Sequence, residues 1–414
     1  MKVGLFAALW ASSALVAGDS CLRCHSALKG PLQQPAASFG SSVHMQQGFT
    51  CADCHGGDPS ANDPKTAMSP NRGFIGVARR TEIPKLCARC HSSPDFMRKY
   101  NPRERVDQYA EYLTSVHGHR LAAGDTTMAT CIDCHGVHDI RPVRDPVARV
   151  YPQHVPATCG HCHSDRARMA KYAIPTNQYD EYLKSVHWEA LSTRGDLSAP
   201  TCATCHGNHG AKPPEVASVA AVCGTCHALE EQRFEKSPHQ SAFAAMNAGT
   251  CVACHSNHAV LRTSDRMLSG PDAVCAECHD ADSKGGQAAA EIARLIRNLQ
   301  DRLAQADEIL ARAQSDGMEV SDAIEHQTEA RQNLVKARSE VHAFDVPVVA
   351  AVVKAGSAIA EADYQAGKDA LHERNVRREG LGISLFGIGI TVFGLWLAMR
   401  QLADRWSANP PEDD

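Results

Sequence analysis

Cys-x-x-Cys-His occurs nine times in these 414 residues, and its copies use every cysteine the chain has. The cysteine pairs are Cys21 and Cys24, Cys51 and Cys54, Cys87 and Cys90, Cys131 and Cys134, Cys159 and Cys162, Cys202 and Cys205, Cys223 and Cys226, Cys251 and Cys254, and Cys275 and Cys278. The histidines that close them are His25, His55, His91, His135, His163, His206, His227, His255 and His279. Two thiols at this spacing, with an imidazole directly after the second, suit c-type haem: the sulfurs form thioethers to the vinyl groups and the histidine binds iron from below. A zinc site needs paired Cys-x-x-Cys units and does not demand that histidine, so nine identical copies exclude zinc as the common explanation. With eighteen cysteines all inside motifs, no thiol remains for a disulfide framework.

The cofactor reading sets the fold expectation. Aromatic residues make up only 5% of the chain, too few for a large domain to build its core from side chains alone. Porphyrins are expected to fill that role, with the peptide wrapped around them as short helices and loops. The expected class is mainly α with much irregular structure. A formal charge of -5 carries no nucleic-acid footprint.

The ends carry two further signals. Residues 1–18 read as a secretory signal peptide: Lys2, an apolar run from Val3 to Val16, then small residues at Ala17 and Gly18. Leu381 to Met399 is apolar apart from Ser384 and Thr391, with Arg377 and Arg378 before it and Arg400 after. Nineteen residues at about 1.5 Å each reach roughly 28 Å, the thickness of a bilayer core. The expected layout is a haem domain over 19–283, a helical hairpin over 284–379, a transmembrane helix over 380–402 and a cytoplasmic tail over 403–414. The hairpin follows from Ile292, Leu295, Ile296, Leu299, Leu303, Ala306, Ile309, Leu310 and Ala313 at three- and four-residue spacing, broken at Ser315-Asp-Gly317. Spacing or homo-oligomerisation would be its simplest use.

Between the motifs the chain repeats itself. CARCH is followed by Gln108-Tyr-Ala-Glu-Tyr-Leu-Thr-Ser-Val-His117 and then CIDCHGVH, ending at His138. CGHCH is followed by Gln178-Tyr-Asp-Glu-Tyr-Leu-Lys-Ser-Val-His187 and then CATCHGNH, ending at His209. A shorter copy runs from CGTCH through Ser237-Pro-His239 to CVACHSNH, ending at His258. These repeats supply candidate second axial ligands. His44, His117, His187 and His239 share a Ser-x-His element. His138, His209 and His258 each follow a motif histidine by three residues; on a short helix both cannot bind one iron, so the second must reach a neighbouring haem. His154 and His342 complete a set of nine. Met97 and Met169 are expected to pack on porphyrin faces rather than bind iron.

On these residues the chain resembles the multihaem cytochromes c of the doubled-CxxCH, cytochrome c3-like type, a superfamily that includes hydroxylamine oxidoreductase and pentahaem nitrite reductase. The resemblance runs over the CxxCH motifs, the CHxxH triplets and the long helices after the last motif. His342, in Glu-Val-His-Ala-Phe-Asp, is similar to a distal histidine that those reductases carry on a late helix. The resemblance implies haem pairs stacked into an electron conduit. Pentahaem nitrite reductases usually hold their catalytic haem through CxxCK, and every motif here ends in histidine.

The expectation is therefore a nonahaem electron carrier on the periplasmic face of the cytoplasmic membrane. Its expected partners are a membrane cytochrome b or quinone-oxidising subunit on one side and a periplasmic cytochrome or reductase on the other. The alternative is a reductase or oxidase of a small nitrogen or sulfur compound at one five-coordinate haem.

Overall fold

The computed structural model describes residues 19–214, 218–270 and 273–408. The signal-peptide reading at 1–18 lies outside them. Among the described residues every regular element is helical. The chain divides into two compact units, one of residues up to 223 together with 249–262, the other of 224–248 together with residues from 263 onward.

In the first unit the motifs themselves fold as short helices, and flanking residues explain why. In Cys51–His55 and Cys131–His135, Thr50 and Thr130 stand at the N-cap and Asp53 and Asp133 at the third helical position. The Thr50 N–H and hydroxyl both donate to Asp53 Oδ2, at 2.6 and 2.8 Å. Thr130 does the same with Asp133, at 2.7 and 2.9 Å. Such a capping box closes donors that a five-residue helix would leave open. Each helix stops at a glycine with positive φ, +69° at Gly56 and +82° at Gly136. Gly56 is also held by space, since a Cβ there would lie 2.0 Å from the Gly73 carbonyl oxygen.

The repeats place two further helices alike, α1 (Gln108–Thr114) and α2 (Gln178–Tyr182). Tyr112 and Tyr182 donate their hydroxyls to the carbonyls of Ala129 and Pro200, each at 2.8 Å, just ahead of the next motif. Ser115 and Ser185 then cap the helices that carry His117 and His187. Backbone stitches tie successive repeats together. Val43, Val116 and Val186, each the middle residue of Ser-Val-His, donate to the carbonyls of Ile140, Ala211 and Val260, at 2.8, 3.1 and 2.9 Å. Each acceptor lies two residues beyond a CHxxH histidine.

The second unit is built on three long helices, α3 (Lys284–Ser315), α4 (Ser321–Glu340) and α5 (Val346–Ala408). Ile296, Leu299, Ala330, Ala337, Val349 and Ala360 are wholly buried in one apolar cluster; Leu310, Ala313, Val320, Ala323 and Ala370 form a second. Gln327 and Asp363 are buried polar residues of α4 and α5, 1% and 3% exposed. Segment 224–248 joins this unit through Arg233, whose Nε and Nη2 both donate to the Glu340 carboxylate at 2.7 Å. The expected hairpin is thus two antiparallel helices plus the first half of a third. That third helix runs without a break into the apolar stretch, whose residues from Leu381 to Met399 are exposed on every face. It is long and apolar enough to cross a membrane.

Candidate haem sites

The motif helices fix the tautomer of several closing histidines. Nδ1 of His25 donates to the Leu32 carbonyl at 2.9 Å and Nδ1 of His55 to that of Gly76 at 2.8 Å. His206 Nδ1 donates to the Lys212 carbonyl at 3.3 Å. A carbonyl can only accept, so the proton sits on Nδ1 and the Nε2 lone pair is left for a metal.

Imidazoles then meet in facing pairs. Ring centroids are 6.0 Å apart for His44 and His91 and 6.2 Å for His55 and His138. They are 6.2 Å apart for His117 and His163, 6.1 Å for His135 and His209 and 6.1 Å for His206 and His258. In the second unit His239 and His279 stand 5.9 Å apart. Metal–imidazole bonds of about 2.0 Å, plus about 1.1 Å from ring centre to nitrogen, put two trans imidazoles on one iron about 6.2 Å apart. The six pairs therefore have the span of bis-histidine haem ligation, and each joins one motif histidine to one spare histidine. The residues present fit the group.

The pairs follow a rule. Each Ser-x-His histidine in them faces the histidine of the second motif after it, as His44 faces His91 and His117 faces His163. Each CHxxH histidine reaches back across a repeat, as His138 does to His55 and His209 to His135. The thiols of consecutive motifs also adjoin. Cys21 lies near Cys51, Cys54 near Cys90 and Cys87 near Cys131. Cys134 lies near Cys162 and Cys159 near Cys202. The first six attachment sites are thus neighbours in chain order.

Electrostatics favour the metal-binding form of the rings. Burial pushes His44, His91, His117, His138 and His163 below the ordinary histidine range, helped in His44 by His91 and in His117 by His163. His135 falls to about 4, from burial first and then from His209 and His91. Neutral imidazole is the state that ligates iron. Burial likewise lifts the Cys51 thiol to about 12 and the Cys134 thiol to about 11.

The remaining candidates are placed as follows. His342 donates Nδ1 to the Ser339 carbonyl at 3.0 Å, beside Glu230, whose carboxylate also feels His227. His154 donates Nδ1 to the Ala148 carbonyl at 2.9 Å and its ring lies edge-on to Tyr151, at 6.1 Å. Among the described residues, His154 and His25 do not form a facing pair. Met97 and Met169 are buried, 8% and 5% exposed. Sequence reasoning missed the backbone stitches and the choice of partner within each pair. The regular distance from CHxxH to the preceding repeat was the available signal for the second.

Residues 43–164 match the family model for cytochrome c3, and residues 243–284 match that for the doubled CXXCH motif. The C-type polyheme cytochrome OmcC of Geobacter sulfurreducens is 25% identical over 210 residues, which is 47% of this chain and 26% of that protein. No solved structure matches the chain. The CxxCH ladder, the imidazole pairs spaced for iron and both family matches converge: the chain is similar to the multihaem c-type cytochromes, and its motifs are those of covalently bound haem c.

Proposed function

We propose that this protein binds nine haems c and relays electrons between the quinone pool and a periplasmic acceptor, with α5 anchoring it in the cytoplasmic membrane. The observation that carries the reading is the run of paired imidazoles on consecutive, adjoining motifs. Bound haem supplies a one-electron iron couple. The chain's contribution is ligation and spacing: the pairs His44/His91, His55/His138, His117/His163, His135/His209, His206/His258 and His239/His279 would each hold one haem iron between two imidazoles and keep other ligands off it.

A membrane cytochrome b or quinol-oxidising subunit would feed electrons in, and a soluble cytochrome or reductase would take them out. Bis-histidine ligation lacks the methionine that raises a haem potential. Redox titration should therefore find most midpoints at or below that of the quinone pool. Most midpoints well above it would overturn this direction of flow.

One observation favours a second reading. Among the described residues no imidazole stands opposite His25, so a reductase or oxidase acting on a small nitrogen or sulfur compound would have its candidate open iron at the first motif. Loss of such turnover in His25→Ala, with the other haems retained, would support it. An all-low-spin oxidised protein would remove it.

A further inference from the structure

A carboxylate recurs beside the second axial histidine of two haem sites. Glu111 Oε2 lies 3.7 Å from Nδ1 of His209, and Glu181 Oε2 lies 3.7 Å from Nδ1 of His258. The two glutamates occupy the same place in the repeat, on α1 and α2, in Gln-Tyr-x-Glu-Tyr-Leu. The two histidines are likewise equivalent, each the last residue of a CHxxH, facing His135 and His206. One geometry has thus been built twice from different surroundings. The segment ahead of His44 carries no acid between Gln33 and Met45, so the iron of His55 and His138 has no equivalent glutamate from the repeat.

The other oxygen of each carboxylate is held differently. Glu181 Oε1 accepts from Asn177 Nδ2 at 2.5 Å, a neutral donor at the helix N-cap. In the first copy that position is Asp107, which cannot donate when ionised. Arg105 bridges Asp107 and Glu111 instead. Glu181 therefore presents a full negative charge to its histidine, whereas Glu111 shares one guanidinium with Asp107, and that cluster keeps one net negative charge beside His209.

We propose that Glu111 and Glu181 are tuning residues that lower the reduction potentials of the haems held by His135/His209 and His206/His258. At 3.7 Å the contact is electrostatic rather than a direct hydrogen bond. A negative charge next to Nδ1–H draws the proton and makes Nε2 a better donor, which favours ferric over ferrous iron. The inference rests on His209 and His258 being axial ligands.

The test uses the full-length haem-loaded protein in detergent, followed by spectroelectrochemical titration and electron paramagnetic resonance. Glu181→Gln should raise one midpoint by about a tenfold change in the reduction equilibrium, about 59 mV for a one-electron couple. Glu111→Gln should raise one midpoint likewise. Arg105→Gln should move a midpoint the opposite way, downward, a sign that general loosening of the fold would not produce. Asn177→Ala, which strips a donor from Glu181 and keeps its charge, should lower the same midpoint and serves if Glu181→Gln does not assemble; Glu181→Asp should keep most of the parent value. Midpoints unchanged in Glu181→Gln and Asn177→Ala, or a rise in Arg105→Gln, would overturn the proposal. His258→Met separates the two layers. If its low-spin spectrum equals the parent's, the ligand assignment has failed. If it changes while Glu181→Gln leaves all midpoints in place, only the tuning role has failed.

Discussion

The serine of each Ser-x-His element does more than mark a repeat. Ser42, Ser115, Ser185 and Ser237 all stand at the N-cap of the helix bearing the histidine, and all are buried. Ser115 Oγ accepts from the Gly118 N–H at 2.9 Å and donates to the Tyr112 carbonyl at 2.6 Å. Ser185 repeats this with Trp188 and Tyr182, at 3.1 and 2.6 Å. The imidazole two residues on is thus aimed by a rigid turn. Ser115→Ala removes the cap that the buried Gly118 N–H donates to, and should cost about 1–2 kcal/mol. A thermal melt followed by circular dichroism and by the haem absorption should show both signals failing earlier together; an unchanged melt would deny the serine this role. The histidines and serines were legible because the repeat displayed them side by side. Their partners were not, because backbone bonds such as Val116 to Ala211 leave no mark on side-chain identity.

At the scale of elements, α3, α4 and α5 form a bundle whose apolar periodicity was readable in advance, including the break at Gly317, where φ is +80°. The polar residues inside it were not. Asp363 is 3% exposed, its Oδ2 has no hydrogen-bond partner, and both amide atoms of Gln327 are equally unpartnered. His326 Nδ1, at 3.8 Å from Asp363, is the nearest compensating group and is itself exposed. Burial raises the Asp363 carboxyl above its ordinary value. For an acid whose folded pKa is raised, the fold is favoured while the group is protonated, and that stability is lost as pH rises through the folded pKa. Asp363→Asn should therefore melt higher than the parent at pH 8, by about 1–3 kcal/mol. Near pH 3 the parent carboxyl is also neutral and the difference should close. Equal melting at pH 8 would mean that Asp363 is neutral there or reaches water.

For the whole molecule, the fold class and the apolar terminal span were visible from composition and spacing. The joining of 224–248 to the long helices was not, since it depends on Arg233 finding Glu340 across a long stretch of chain. The hairpin boundary at 379 also has no counterpart in a helix end, because α5 carries on through it. A chain truncated after Glu379 loses the exposed apolar part of α5 but none of its buried core residues. It should appear in the soluble fraction with its haem content unchanged, as measured by pyridine haemochrome per mole of protein. Retention in the membrane would assign the anchoring elsewhere.

Six histidine pairs spaced for iron would make the chain a conduit rather than a set of reactive sites. Quantitative low-temperature electron paramagnetic resonance of the fully oxidised protein tests that pairing most directly. Low-spin ferric signals are expected from at least six irons, those of the facing histidine pairs. High-spin signals from more than three irons in protein carrying nine haems would contradict the pairing.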